Sequence, residues 1–456
     1  MADRDRRECP RTAMGSLGTL NAKRAGFPLR LWTLDVAPKP IATLSHPGDT
    51  RGSPVLPAPN TRSHLLAMLL ALVLASGLVS VGLWYCERLE RRNIHALAPE
   101  FSDEKLQGMA LQRHAFAQPD LLVLYGSSEL VKEMPNNASQ FFQDYPTGFR
   151  VFPVGKPGTT SLAVLQKIAS VGPSVRGHKV AYSISPGWFF TETFDPKYYE
   201  GNFSALQAGE LAFSARLSRG LKRDIARRML EYPKTLENDT LLRWAIERLA
   251  GDGWSDRALF TLALPLGKLQ TAVGRAQDHL ETALHILEDD ARLHSPARPG
   301  KRVVHWADLF KRAAQYASAP AIQAKRNEVS RKRLPRAARA LRDKAFLQTI
   351  AKAEEWTDIE LLLRTFQELG VQPLLLTMPV EDIRLEVYGL GPDARNAYVQ
   401  RLDALAESYR FPLADFREHH ADPAFLADFL DHLSGKGWLY YNKALDDFFH
   451  GRLTTL

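Results

Sequence analysis

Leu65 to Tyr85 restricts this chain more than any other segment: LLAMLLALVLASGLVSVGLWY is twenty-one residues without a charge. As a helix rising 1.5 Å per residue it reaches about 30 Å, the thickness of a bilayer's hydrocarbon core. Trp84 and Tyr85 close it as an interfacial aromatic pair, and Arg62 and His64 flank its start. A cleaved signal peptide fits less well, because the run is too long and no Ala-x-Ala site follows. Residues 64–86 are therefore expected to be a retained single-pass anchor. Residues 1–63 are rich in Pro, Gly, Arg, Ser and Thr, with ten Lys/Arg against five Asp/Glu, and read as a disordered basic tail with Met14 as an internal candidate start. Arg88, Arg91 and Arg92 follow the span, so the charge bias across it is weak. The N-terminus is expected inside, because the long C-terminal part holds the fold and long domains translocate largely regardless of charge. That puts the C-terminal domain on the extracytoplasmic side of the cell membrane.

Residues 87–456 read as a globular α/β domain. Overall hydrophobic content of 45% and charged content of 24% exclude a fibrous or wholly disordered chain. Two cysteines, Cys9 and Cys86, exclude a disulfide scaffold and a cysteine-built zinc site. The thirteen histidines are scattered, and neither H-E-x-x-H, Walker A nor G-x-G-x-x-G occurs, so no metal or cofactor is expected. Leu121–Tyr125 (LLVLY), Phe149–Val154 and Lys179–Ile184 are short apolar runs bounded by Gly, Pro and Ser, which suits buried parallel strands. Ser161–Ser170 between them has helical spacing, and strand–helix–strand at this cadence predicts a doubly wound parallel sheet. The cadence resumes with a helix at Asp358–Leu369, a strand at Gln372–Met378, a helix at Tyr398–Tyr409, a short strand at Phe411–Asp415 and a closing helix at Trp438–Phe449. Residues from about 200 to 345 interrupt it as a large helical insertion. Residues 211–345 carry twenty-seven Lys/Arg against fifteen Asp/Glu, more than the whole chain's excess of +8. Lys325–Lys344 is densest, with nine basic and two acidic residues. In an anchored chain this run suits a polyphosphate or anionic-lipid surface better than nucleic acid; the plainer reading is a solvated helix face.

Chemistry is expected where strands end. Gly126-Ser127-Ser128-Glu129-Leu130 follows the first strand, and a serine on such a turn stands above the carboxyl edge of the sheet. The backbone N–H groups that follow can hold an oxyanion. The plainer reading is a helix N-cap, since Ser-Ser pairs cap helices routinely and the flanking glycines of G-x-S-x-G are missing. His432 sits in Asp428-Phe-Leu-Asp431-His432-Leu-Ser434, a loop able to return to the same edge. A serine needs a base, and the imidazole needs a carboxylate to fix its tautomer, for which Asp428 and Asp431 are the local choices. On its own His432 also reads as an ordinary loop residue beside a capping Ser434. Gly158, in Gly155-Lys-Pro-Gly158-Thr-Thr-Ser161, permits close backbone approach and is a candidate second oxyanion donor, or simply part of a Gly/Pro loop.

GSSEL after a strand, then VGKPGTTSL, ISPGWF, HLSGKGW and a Tyr440-Tyr-Asn-Lys-x-Leu-x-x-Phe-Phe closing helix, in this order over residues 64 to 450, resemble the DltD family, the membrane-anchored D-alanyl-transfer proteins of envelope-polymer D-alanylation. That family is similar to the SGNH hydrolases. The resemblance implies an SGNH-like α/β fold with Ser128 as nucleophile, His432 as base, and Ser128 and Gly158 as oxyanion donors. Two positions depart from the pattern. Phe429 stands three residues before the histidine, where the triad Asp is usual, which leaves Asp428 as the favoured acid and Asp431 as the alternative. Ser185-Pro186-Gly187-Trp188 replaces the Asn of the third SGNH block, so a third oxyanion donor is a backbone amide or missing.

The resemblance further implies an acyltransferase or thioesterase whose partners are the membrane, an anionic envelope polymer as acceptor, a membrane-bound O-acyltransferase and the acyl-carrier system of the pathway. A non-catalytic accessory protein that docks the polymer beside that acyltransferase is the alternative. Whether Ser128 and His432 meet separates the two.

Overall fold

The computed structural model describes residues 61–288, 299–315, 320, 323–324, 327–328, 336–428 and 431–453. The tail before residue 61 lies outside the described residues, as do Lys325, Arg326, Arg331, Lys332 and Arg333 of the basic run. All packing described here lies within the unit Ala67–Leu456.

One helix, Thr61–Leu97, carries the whole apolar run and continues past it. It is long and apolar enough to cross a membrane. Its apolar side chains from Leu65 through Tyr85 stand exposed except the half-buried Leu83, whereas Cys86, Leu89, Ile94 and Leu97 are buried in the domain's core. The apolar span and the first core helix are thus one continuous element.

Five parallel strands form a single sheet: β1 (Leu121–Tyr125), β2 (Arg150–Val154), β3 (Lys179–Ile184), β4 (Gln372–Thr377) and β5 (Leu413–Ala414), in the order β2-β1-β3-β4-β5. The strand order reverses direction between β1 and β3, which is where open α/β sheets place ligands, at the carboxyl edge. Leu122, Leu124, Val151, Ala181, Leu374 and Leu376 point to one face, under the Ala138–Asp144 and Gly435–Phe449 helices. Val123, Phe152, Val180, Tyr182 and Leu375 point to the other, under the Ser161–Val171 and Glu355–Leu369 helices. Burial on both faces explains why these strands read as continuous apolar runs rather than alternating ones.

Differences from the sequence reading lie at element ends. The Pro392–Tyr409 helix starts six residues ahead of the expected Tyr398, with its proline in the first turn, where the absent N–H costs nothing. The closing helix starts at Gly435 because Ser434 Oγ accepts the N–H groups of Lys436 and Gly437. β5 shrinks to two residues, paired with Leu375 and Leu376.

The connection from β3 to β4 is mostly helical where described. Its Ala205–Phe213, Arg219–Leu230 and Thr240–Ala250 helices bury Leu211, Leu221, Ile225, Ile246 and Leu249 in the same cluster that covers the second face of the sheet.

At the carboxyl edge, Gly126 N–H donates to the Val154 carbonyl at 3.3 Å. A Cβ on Gly155 would run into the Gly126 carbonyl oxygen, so the ends of β1 and β2 approach as closely as they do only because position 155 is glycine. Gly155→Ala is expected to lower stability by about 1–3 kcal/mol in denaturant titration, the usual cost of overpacking against backbone. Gly220→Ala, at a helical position with open space around it, is expected to hold or raise stability in the same titration.

Candidate active site

Ser128 is the first residue of the short Ser128–Val131 helix, so its N–H has no intrahelical acceptor. The turn before it is fixed from below. Glu129 is fully buried, and one of its carboxylate oxygens accepts the Ser127 N–H at 3.0 Å. Burial pushes the Glu129 carboxyl above its usual range, and the hydrogen bond from Ser127 offsets part of this. Ser128 itself is half-buried, its hydroxyl facing His432.

The 424–434 segment supplies the other half. Leu426 and Leu433 form an antiparallel bridge, and Ala427 N–H donates to the His432 carbonyl at 2.8 Å. This closes a tight loop whose two ends, Asp428 and His432, are adjacent in space. His432 Nε2 lies 2.8 Å from Ser128 Oγ, and His432 Nδ1 lies 2.6 Å from an Asp428 carboxylate oxygen. With the proton on Nδ1, the imidazole donates to Asp428 and accepts from the serine hydroxyl. Residues 304 positions apart in the chain are in direct contact.

Asp431 is elsewhere. Its buried carboxylate accepts the Ser185 hydroxyl and the Gly187 N–H, both at 2.7 Å, and pairs with Arg384. Gly187, in the loop after β3, therefore has its N–H already committed. Gly158 takes a left-handed φ of 83° on the loop after β2, and a Cβ there would lie 2.5 Å from the Tyr198 ring. Asn202 holds that loop: its side-chain oxygen accepts the Thr159 hydroxyl at 2.8 Å and its nitrogen donates to the Tyr198 carbonyl at 2.9 Å. Tyr198 stacks edge-on to Trp188 at 5.0 Å between ring centres, so the GKPG and SPGW loops share one aromatic wall. Among the described residues no group of His, Cys, Asp and Glu could hold a metal ion.

A model of the DltD protein family matches residues 98–450. The chain belongs to the DltD family. It is similar to protein DltD of Bacillus subtilis (strain 168), 27% identical over 404 residues, which is 85% of this chain and 98% of the relative. It is also similar to protein DltD of Lacticaseibacillus rhamnosus, 23% identical over 84% of this chain and 89% of the relative. Protein DltD of Staphylococcus aureus (strain NCTC 8325 / PS 47) is 20% identical over 79% of this chain and 89% of the relative.

The DltD match spans every strand-end loop described here, from GSSEL to HLSGKGW. Within it stand residues that the sequence reading passed over. Lys132 pairs with Asp428 and stands 3.4 Å from His432 Nδ1. Its one signal was position, a single helical turn beyond Ser128. Arg384 carried no signal at all, because its role exists only once β3 and the histidine loop are side by side.

Two measurements follow from the burial of this edge. Removing one partner of a buried ion pair leaves the other charge uncompensated, at about 3–5 kcal/mol. Asp431→Asn is therefore expected to lower the denaturant midpoint sharply, while Asp428→Asn, whose site is partly solvated, changes it little. Glu381 is also buried at this edge. Burial first, then the Asp431 carboxylate, push Glu381 up to about 8 against the pull of the Leu426 N–H and Arg384. The native state then keeps a proton that the unfolded chain releases near pH 4.3. The stabilisation it contributes is complete below that pH and is lost as pH rises towards about 8. Glu381→Gln is expected to flatten the fall in denaturant midpoint between pH 5 and 8; an unchanged slope would place the titration elsewhere.

Proposed function

We propose that this DltD-family chain is a serine-dependent acyltransferase of envelope-polymer D-alanylation, with an SGNH-like arrangement of Ser128, His432 and Asp428. One observation carries the reading: a serine hydroxyl, an imidazole and a carboxylate in line at 2.8 and 2.6 Å on the carboxyl edge of a parallel sheet. These separations suit proton transfer.

In this reading Ser128 Oγ attacks the carbonyl of an activated D-alanyl ester or thioester as its proton moves to His432 Nε2. Asp428 holds the tautomer and stabilises the imidazolium. The oxyanion rests on the N–H groups of Ser128 and Gly158. Collapse expels the alcohol or thiol, which takes the proton from His432 and leaves an acyl-Ser128 ester. A polymer hydroxyl then attacks that ester, its proton passing to His432 and back to Ser128 Oγ. With the Gly187 N–H donated to Asp431, that amide does not serve as a third oxyanion donor, and the loss of one such donor costs about 2.7–4 kcal/mol in transition-state stabilisation. That suits slow, partner-dependent transfer better than fast hydrolysis. The Thr61–Leu97 helix would hold the domain at the outer face of the membrane, near the membrane-bound O-acyltransferase that delivers the acyl group.

Ser128→Ala is expected to abolish D-alanine incorporation and labelling by a fluorophosphonate, with the fold retained; Ser127→Ala is expected to be milder. Asp428→Asn is expected to cost on the order of 10⁴ in turnover. Full incorporation by Ser128→Ala would leave the chain as a docking protein for the polymer instead.

A further inference from the structure

The Trp254–Leu287 helix has one face in the core, where Phe260, Ala263, Thr271, Ala283 and Ile286 are buried. Its opposite face is not polar. Leu262, Leu266, Leu269, Val273, Leu280 and Leu287 are 46–77% exposed, and Trp254 at the helix start is 83% exposed. These residues recur at the three- and four-residue steps of a single stripe, on a helix of 34 residues, about 51 Å long. An exposed apolar stripe of this length marks an interaction face.

What lies against it follows from where the helix is held. His279 Nδ1 contacts the Glu90 carboxylate at 2.9 Å, and the same carboxylate meets His114 Nε2 at 2.8 Å. Beside it, Asp278 accepts the N–H groups of Met109 and Ala110, each at 2.9 Å. Glu90 is five residues beyond Tyr85, so it stands about 7.5 Å along the axis past the aromatic end of the apolar span. The headgroup region on each side of a bilayer is about 5–8 Å deep. The helix is thus clamped to the anchor at headgroup depth. A partner helix fits less well. Among the positions flanking the stripe, Pro265, Gln270, Ala272 and Gln277 are uncharged and His279 is taken up by Glu90, so none of these offers the charge that selects a coiled-coil partner. Arg257 and Lys268 are exposed on one flank of the same helix, away from the stripe, and their long side chains suit headgroup contact by snorkelling, with Glu281 exposed on the other flank.

We propose that the exposed face of the Trp254–Leu287 helix lies on the bilayer surface beside the anchor, as an interfacial amphipathic helix contacting acyl chains and headgroups. This rests on the anchor reading of the Thr61–Leu97 helix. The domain would then be held by two membrane contacts, which fixes its tilt as well as its distance.

The test uses the full chain in vesicles of phosphatidylcholine and phosphatidylglycerol that include a diazirine-bearing phosphatidylcholine. After irradiation, lipid adducts are mapped by mass spectrometry. Adducts are expected in Leu65–Tyr85 and in residues 259–273, and not in the solvated Ala138–Asp144 helix. In a Leu266→Gln, Leu269→Gln variant, adducts on residues 259–273 are expected to fall to the level of that solvated helix, with labelling of Leu65–Tyr85 unchanged. Adducts confined to Leu65–Tyr85 would overturn the proposal, whether water or a second copy of the chain covers the stripe. Adducts that persist in the variant would overturn it too. Labelling of residues 259–273 without Leu65–Tyr85 would sink the anchor reading and leave the interfacial helix standing.

Discussion

The site depends on one buried carboxylate that does not touch the serine. Asp431 carries a full charge into the protein, and the desolvation this costs is offset only because Arg384, the Ser185 hydroxyl and the Gly187 N–H all converge on it. The residues that meet there come from three stretches of chain: the loop after β3, the Asp382–Tyr388 helix and the histidine loop. A neutral residue at 431 would have no reason to seek that meeting point. The pairing fixes the histidine loop against the end of β3, and β3 is hydrogen-bonded beside β1, where Ser128 begins. His432 is held over Ser128 through its immediate neighbour in sequence. This also accounts for the positive φ of 61° at Asp431, a strained conformation that the buried contacts over-determine.

Strands β1 to β4 were legible because both faces of the sheet are covered, so each strand is an uninterrupted apolar run ending in Gly, Pro or Ser. The end of each such run is also where a parallel sheet carries its site, which is why Ser128 and Gly158 were candidates. The division of labour between Asp428 and Asp431 was less legible. In one dimension both lie close to His432; they separate only when the Leu426–Leu433 bridge folds the loop back and the left-handed residue 431 turns its side chain away from the imidazole. Position four residues past Ser128 was the one hint for Lys132 and there was none for Arg384, because a lysine just past a short helix and an arginine on a surface-type helix are ordinary until a segment about 300 or about 50 residues away packs against them.

Asp428 and Asp431 also differ in solvent contact, and this sets what each can contribute. Asp431 is sealed off, whereas the Asp428 side chain is 27% exposed and already paired with Lys132. An imidazolium forming on His432 would share that carboxylate with an ammonium only 3.4 Å from Nδ1. Two cations on one anion repel each other, so the imidazolium would be less stabilised than beside an isolated, buried aspartate. In the proposed mechanism, the share of Asp428 taken by Lys132 is thus withheld from the imidazolium that forms as Ser128 attacks.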